Sequence, residues 1–174
     1  MDYGKPPEAA LFRLPPEARE VREFSSRDPK KFKERLMGKP APEWTAVDIR
    51  GTPITLSALK GHVVLLDFWT TWCGPCRADG PALDSLYRKY GGDLVIIGIS
   101  VDEERSAVEK FLSEHHHDFP IVLTSENRLP APFWVHSYPT YVGIDRDGNV
   151  SWVSQSDGGY RDVTKLLKAH SQAK

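Results

Sequence analysis

The most informative stretch of the chain is residues 63–76, Val63-Val64-Leu65-Leu66-Asp67-Phe68-Trp69-Thr70-Thr71-Trp72-Cys73-Gly74-Pro75-Cys76. A nearly continuous apolar run of this kind is typical of a strand whose sheet is covered on both faces. The two cysteines of the chain follow this run, three residues apart. Residues at that spacing share one face of a helix, so the two sulfurs can meet in a very short ring. The stretch therefore predicts two thiols at the junction between a buried strand and a helix.

This junction favours reversible dithiol chemistry. A helix N-terminus offers unpaired N–H groups and a partial positive charge, which stabilise a thiolate. The thiolate is the form that attacks a disulfide. We expect Cys73, at the exposed start of the helix, to be the nucleophile and Cys76 to be the resolving thiol. Gly74 would permit the tight turn, and Pro75 suits the first helical turn, where its missing N–H leaves no bond unmade.

Composition indicates a folded protein without a nucleic-acid or membrane signature. With 174 residues, 40% hydrophobic and 27% charged, the chain fits one globular domain. A net charge of −1 gives no general attraction to nucleic acid or to an anionic membrane surface. No stretch approaches the roughly 20 apolar residues of a membrane span. Because no signal peptide is visible, we expect either a cytoplasmic protein or a trimmed mature form that is periplasmic or membrane-tethered.

The remaining pattern divides the chain into two parts. Residues 1–37 are rich in proline and mixed charge, and they predict an N-terminal extension that is partly helical or flexible. Residues 38–174 alternate between strand and helix patterns. The expected strands are 44–48, 54–56, 62–69, 94–101, 121–123, 140–144 and 150–155, and the expected helices are 73–90, 104–115 and 163–170. This order predicts an α/β domain with a central mixed β-sheet flanked by helices and an extra N-terminal β-hairpin.

The motif and its surroundings resemble a known superfamily. Residues 67–77, with Pro81 five positions after Cys76, resemble thioredoxin. The wider layout, with residues 38–42 before two short strands and Tyr138-Pro139 leading into residues 140–148, resembles the TlpA/ResA branch (redoxin, or AhpC/TSA-like) of that superfamily. The resemblance covers about residues 38–170. It implies a thioredoxin-like fold and a thiol-disulfide oxidoreductase, here expected to be a reductant because its Gly-Pro dipeptide is that of thioredoxin.

The resemblance also implies how the protein works with others. We expect no cofactor beyond the redox-active Cys73–Cys76 disulfide, and no metal. We expect a monomer that acts on a protein disulfide and receives electrons from an upstream thiol donor. Tyr138-Pro139 matches the cis-proline of the family, which faces the cysteine pair. The substrate-binding face would comprise Trp72, Gly74, Pro75, Tyr138 and Pro139.

Two acidic residues near the cysteines are candidates for proton chemistry. Asp67 matches the buried acid that assists the inner cysteine in thioredoxin, since a buried carboxyl has a raised pKa and can exchange protons with a thiol. Its alternative is a strand-end acid in solvent. Asp79 stands where the TlpA branch carries a glutamate, and it is either a modulator of the thiols or a surface acid that suits the helix dipole. Pro81 would kink the helix.

Three other interpretations compete with this hypothesis. The cysteines could form half of a zinc site completed by residues 115–117, although the strand-to-helix context is unusual for zinc. Residues 70–73 contain the T-x-x-C pattern of peroxiredoxins, which would indicate a thiol peroxidase, but Leu66 stands where that family has proline. The protein could also be a non-enzymatic partner-binding module whose extension recruits the partner.

Overall fold

A computed structural model describes residues 29–102, 104–129, 133, 135–156 and 158–171. Within these ranges the chain alternates between strands and helices from Thr45 onward. The strands are β1 (Thr45–Val47), β2 (Pro53–Thr55), β3 (Val63–Trp69), β4 (Leu94–Ser100), β5 (Ile121–Leu123), β6 (Thr140–Ile144) and β7 (Val150–Ser154). The helices are α1 (Pro29–Leu36), α2 (Gly74–Tyr90), α3 (Arg105–Glu114) and α4 (Val163–Ser171), with short 3₁₀ turns at Leu56–Leu59 and Gly159–Asp162.

The central sheet is mixed, as the sequence predicts. Its strand order is β5-β4-β3-β6-β7. Strand β3 runs parallel to β4 and antiparallel to β6, and β4 runs parallel to β5. Strands β1 and β2 pair antiparallel as a separate two-stranded sheet, which confirms the extra N-terminal hairpin. The order places β3, the strand that leads into the cysteines, at the centre.

Side chains of β3 alternate between two buried layers. Leu65 and Trp69 belong to a cluster with Leu83 of α2, whereas Leu66 and Phe68 belong to the cluster on the other face. Because successive side chains in a strand point to opposite faces, Asp67 lies on the α2 face with Leu65 and Trp69. The fold therefore directs one acidic side chain into the layer that also holds both cysteines.

The last turns before the predicted domain form a docked helix. In α1 the side chains of Phe32 and Leu36 are only 3% and 1% exposed, and they pack in the cluster opposite α2. Backbone bonds then tie the chain to β7, because Gly38 N–H donates to the Val150 carbonyl at 2.8 Å. The extension is expected to be partly helical, and α1 is a helix within it that covers one face of the sheet. Residues 1–28 lie outside the described residues, and the boundary at residue 37 stays a prediction.

Among the helices described, none is both long and apolar enough to cross a membrane.

Candidate active site

The two cysteines form a disulfide at the N-terminus of α2. Their Cα atoms are 5.3 Å apart. At 5% and 6% exposure both residues are buried, so the exposed position expected of Cys73 is wrong. Cys73 caps the helix, and its Sγ accepts a hydrogen bond from the Cys76 N–H at 3.2 Å. A donor directed at Cys73 Sγ at the positive end of a helix stabilises a thiolate there in the dithiol form. The geometry therefore distinguishes the two sulfurs and favours Cys73 as the thiolate.

Gly74 and Pro75 open the helix between the two cysteines. Pro75 occupies the first helical turn, where no N–H is required. Gly74 does not have the positive φ that would require glycine, and its expected role in permitting the tight turn stays a prediction. A Cβ built at Gly74 would meet nothing within 4 Å. The backbone at Gly74 therefore borders open space.

Asp67 is a buried acid in the central strand of the sheet. It pairs with Gly98 of β4 and Tyr141 of β6 in the middle of the sheet, and it is 5% exposed. Its Oδ1 has no hydrogen-bond partner among the described residues. Burial, with a contribution from the nearby charge of Asp79, raises the pKa of Asp67 to about 8. The alternative of a strand-end acid in solvent is wrong, and the carboxyl is mostly protonated at neutral pH.

Asp79 is also buried, but one of its carboxylate oxygens accepts two hydrogen bonds. Its Oδ2 accepts hydrogen bonds from the Tyr141 hydroxyl and the Gly158 N–H, both at 2.8 Å. At 9% exposure, Asp79 is not the surface acid that one interpretation of the sequence proposed. Burial, followed by the charges of Asp67 and Asp79, raises the pKa of Tyr141 far above its usual range, so this hydroxyl remains a donor. Asp79 Oδ2 thus has two donors, whereas Asp67 Oδ1 has no hydrogen-bond partner among the described residues.

Pro81 lies inside α2, one turn beyond Cys76. It has no N–H to donate to the carbonyl of Arg77, the residue four positions earlier. The kink expected at this position stays a prediction.

An aromatic pair stands beside the disulfide. Trp72 is 72% exposed, which is unusual for a side chain of its size, whereas the adjacent Cys73 is 5% exposed. The rings of Trp72 and Tyr138 meet edge to face with centroids 6.0 Å apart. The peptide bond between Tyr138 and Pro139 is cis, in agreement with the resemblance. The loop before α2 and the loop before β6 thus contact each other at the site.

A third carboxylate, which sequence reasoning did not single out, connects β4 to the loop before α2. Asp102 is 7% exposed. Its Oδ1 accepts the Thr71 hydroxyl at 2.7 Å, and its Oδ2 accepts the Thr71 N–H at 2.9 Å and the Ser100 hydroxyl at 2.8 Å. The sequence could have indicated Asp102 by its position just after a predicted strand, because the carboxyl ends of neighbouring parallel strands such as β3 and β4 meet at one edge of a sheet.

The three consecutive histidines have partners away from the cysteines. His115 stacks on Phe111, and His116 lies 3.3 Å from Asp118. His117 is buried and places its Nδ1 3.0 Å from Asp84 Oδ2. In the part of the chain that the structure describes, no group of three or more His, Cys, Asp or Glu side chains is arranged to hold a metal ion.

The fold and the site together define a thioredoxin-like dithiol oxidoreductase. Residues 37–153 match the model of the AhpC/TSA family. The thiol-disulfide oxidoreductase ResA of Bacillus anthracis is 38% identical over 120 residues, which are 68% of this chain and 69% of the relative. The ResA protein of Bacillus subtilis (strain 168) is 34% identical over 135 residues, which are 75% of each chain.

A solved structure agrees with these sequence relatives. The thiol:disulfide interchange protein DsbE from Chlorobium tepidum superposes with a TM-score of 0.67 at 26% identity, covering 78% of this chain and 96% of that one. The chain belongs to the AhpC/TSA family and is a TlpA/ResA-like thiol-disulfide oxidoreductase of the thioredoxin superfamily.

Proposed function

We propose that this oxidoreductase is a protein-disulfide reductant in which Cys73 attacks and Cys76 resolves. The observation that carries the assignment is the hydrogen bond from the Cys76 N–H to Cys73 Sγ at the start of α2. This donor and the helix dipole both stabilise negative charge on Cys73. Cys76 lies inside the helix, and its position suits the second, intramolecular step.

The reaction would proceed through a mixed disulfide. The Cys73 thiolate attacks one sulfur of the substrate disulfide, that bond breaks, and the departing substrate thiolate takes up a proton. Cys76 then loses its proton and attacks Cys73 Sγ, which releases the second substrate thiolate. Two electrons have passed from the dithiol to the substrate, and the Cys73–Cys76 disulfide remains. An upstream dithiol donor would reverse these steps on the protein and restore the reduced form.

Asp67 is the proposed proton carrier for Cys76. Its carboxyl faces the layer that contains Cys76, and no described donor stabilises its charge. General acid–base groups act best when their pKa lies near the working pH, and that of Asp67 is about 8. The carboxylate form would accept the Cys76 proton during resolution. The protonated form would return it when a donor reduces the disulfide.

The exposed aromatic edge is the proposed docking face for the substrate. Trp72 offers a large apolar surface beside a disulfide that is otherwise nearly buried. A Cβ at Gly74 would meet nothing within 4 Å, and Tyr138, which precedes the cis Pro139, contacts Trp72. In the proposed face, Gly74 and Pro75 would form one wall, and Tyr138 and Pro139 the other. An extended peptide that carries a disulfide would lie between these walls and add main-chain hydrogen bonds. A monomer would suffice for this arrangement, since all of these groups come from one chain.

The proposal is tested by trapping and by a redox equilibrium. We expect Cys73→Ser to abolish reduction of a protein disulfide such as that of insulin, whereas Cys76→Ser should accumulate a mixed disulfide through Cys73, seen by mass spectrometry. The equilibrium with glutathione should give a reduction potential near the thioredoxin value of about −270 mV. A potential near the oxidising extreme of about −120 mV would overturn the reductant assignment. Rapid turnover of hydrogen peroxide by the dithiol form would instead favour the peroxidase alternative.

A further inference from the structure

Asp102 is a buried carboxylate that the proposed reaction does not use. It lies two residues after the end of β4, and among the described residues it accepts hydrogen bonds from Thr71 and Ser100. Its own N–H donates back to Ser100 Oγ at 3.2 Å, which closes a ring at the end of the strand. Both carboxylate oxygens therefore have donors. The side chain is fixed in one position by groups on β4 and on the loop before α2.

This carboxylate holds the segment that delivers Cys73 to the site. Thr71 contributes both its N–H and its hydroxyl, so Asp102 binds the loop through two separate atoms of one residue. On either side of Thr71, the Val101 N–H donates to the Trp69 carbonyl at 3.0 Å, and the Cys73 N–H donates to the Thr70 carbonyl at 3.2 Å. Together these bonds set where β3 ends and where α2 begins.

The charge of Asp102 also affects Tyr138, in the loop before β6. The pKa of Tyr138 is raised, first by burial and then by the charge of Asp102. Tyr138 contacts Trp72, the residue next to Cys73. Thr71 and Cys73 are two residues apart, so their Cα atoms are separated by at most about 7 Å. The carboxylate therefore lies close to both loops that enclose the sulfurs.

We propose that Asp102 is a positioning residue for thiol–disulfide exchange: it fixes the loop that carries Cys73, and its charge disfavours the Cys73 thiolate and so keeps the couple reducing. A dithiol form that is stabilised as thiolate makes a disulfide a stronger oxidant. A fixed negative charge near the thiolate acts in the opposite direction. The hydrogen bond and helix dipole at Cys73 thus favour the thiolate, and Asp102 limits that effect.

The test compares two variants that disturb the same contact. Asp102→Asn removes the charge but keeps the shape, whereas Thr71→Val removes the hydroxyl bond and keeps the charge. A like charge close to an ionising thiol changes the acid ionisation constant of that thiol on the order of tenfold. In Asp102→Asn we expect the glutathione equilibrium to move toward the dithiol by about threefold at pH 7 and by about tenfold at pH 8.5. The shift grows with pH because a larger fraction of Cys73 is ionised.

A second readout is the pH dependence of iodoacetamide alkylation of the reduced protein. The midpoint for Cys73 should fall to lower pH in Asp102→Asn and stay close to that of the wild type in Thr71→Val. This inference rests on the proposed role of Cys73, so the modified cysteine is identified by mass spectrometry. Alkylation mainly at Cys76 would show a fault in that earlier assignment, whereas alkylation at Cys73 with an unchanged midpoint would contradict only the role of Asp102.

Two further results decide the proposal. If folded Asp102→Asn leaves the equilibrium within twofold of the wild type at both pH values, or if Thr71→Val shifts it equally far, the charge does not set the potential and the proposal fails. If Asp102→Asn does not fold, the pair Asp102→Glu and Asp102→Gln carries the same difference in charge on a longer side chain. The glutamate variant should then retain a more reducing equilibrium than the glutamine variant, and equality between the two would overturn the proposal.

Discussion

Asp67 and Asp102 are buried to a similar extent near the same disulfide, at 5% and 7% exposure, yet their surroundings are opposite. Asp67 lies in the centre of the sheet, and its Oδ1 has no hydrogen-bond partner among the described residues. Asp102 lies just beyond the C-terminal end of β4, and both of its oxygens accept hydrogen bonds. Burial without donors raises the pKa of a carboxyl, whereas hydrogen bonds to the charged form favour that form. The neighbours therefore suit Asp67 to carry a proton and Asp102 to hold a loop.

The largest expected effect is on stability at Asp67. Because the folded-state pKa is about 8 and the ordinary value is 3.8, the folded protein retains a proton that the unfolded chain releases in that pH range. Stability of the wild type should fall as pH rises from about 4 to 8, by about 1.4 kcal/mol per pH unit at most. Asp67→Asn has no carboxyl to ionise and should not show this loss. At pH 9 its free energy of unfolding should exceed that of the wild type by several kcal/mol, because the difference grows by about 1.4 kcal/mol per pH unit.

Urea unfolding of the oxidised protein at pH 4, 6 and 9 measures this difference. The variant and the wild type should converge near pH 4, where both folded and unfolded wild type hold the proton. A difference that stays constant across the three pH values would mean that folding does not shift the pKa of Asp67, and the contrast with Asp102 would disappear.

The next effect concerns the rate of exchange at Asp67. Positioned general acids and bases contribute about 10²-fold or more to proton-coupled steps. We therefore expect reduction of the Cys73–Cys76 disulfide by dithiothreitol to slow by about 10²-fold in Asp67→Asn at pH 7. The wild-type rate should show an inflection near pH 8 that the variant lacks. Equal rates with equal pH profiles would remove Asp67 from the proposed mechanism.

The smallest effect, with the opposite sign for stability, is expected at Asp102. Here the substitution Asp102→Asn replaces an acceptor oxygen by an amide that faces donors, so hydrogen bonds are lost. Such a loss costs about 1–3 kcal/mol. Urea unfolding at pH 9 should show Asp102→Asn to be less stable than the wild type, and Asp67→Asn to be more stable. Stabilisation by both substitutions would indicate that Asp102, too, is a buried acid without effective partners.

The sequence was sufficient for the parts of this site that depend on local pattern. The apolar run of β3, the cysteine spacing and the helix-opening proline are contiguous, and the alternation along β3 is enough to place Asp67 on a buried face. Pro139 was found through a resemblance that links distant segments. Short-range signals therefore predict the buried strand and the redox pair, and the resemblance adds Pro139.

What the sequence missed depends on contacts between distant segments. Asp102 gains its role only because β4 places it beside Thr71, 31 positions earlier in the chain. Asp79 is buried because Tyr141 and Gly158 supply donors from the other end of the chain. Helix α1 docks because Phe32 and Leu36 meet the sheet face opposite α2. None of these pairings leaves a period or motif in the chain itself.

The central claim, that burial keeps Asp67 protonated in the central strand, is tested most directly by following the carboxyl carbon of Asp67 by ¹³C NMR as the oxidised protein is titrated. The signal is assigned by its loss in Asp67→Asn. We expect its midpoint near pH 8, since the pKa of Asp67 is about 8. In Asp79→Asn the midpoint should move to lower pH, because one neighbouring charge is removed. A wild-type midpoint near the ordinary value of about 4 would contradict the account.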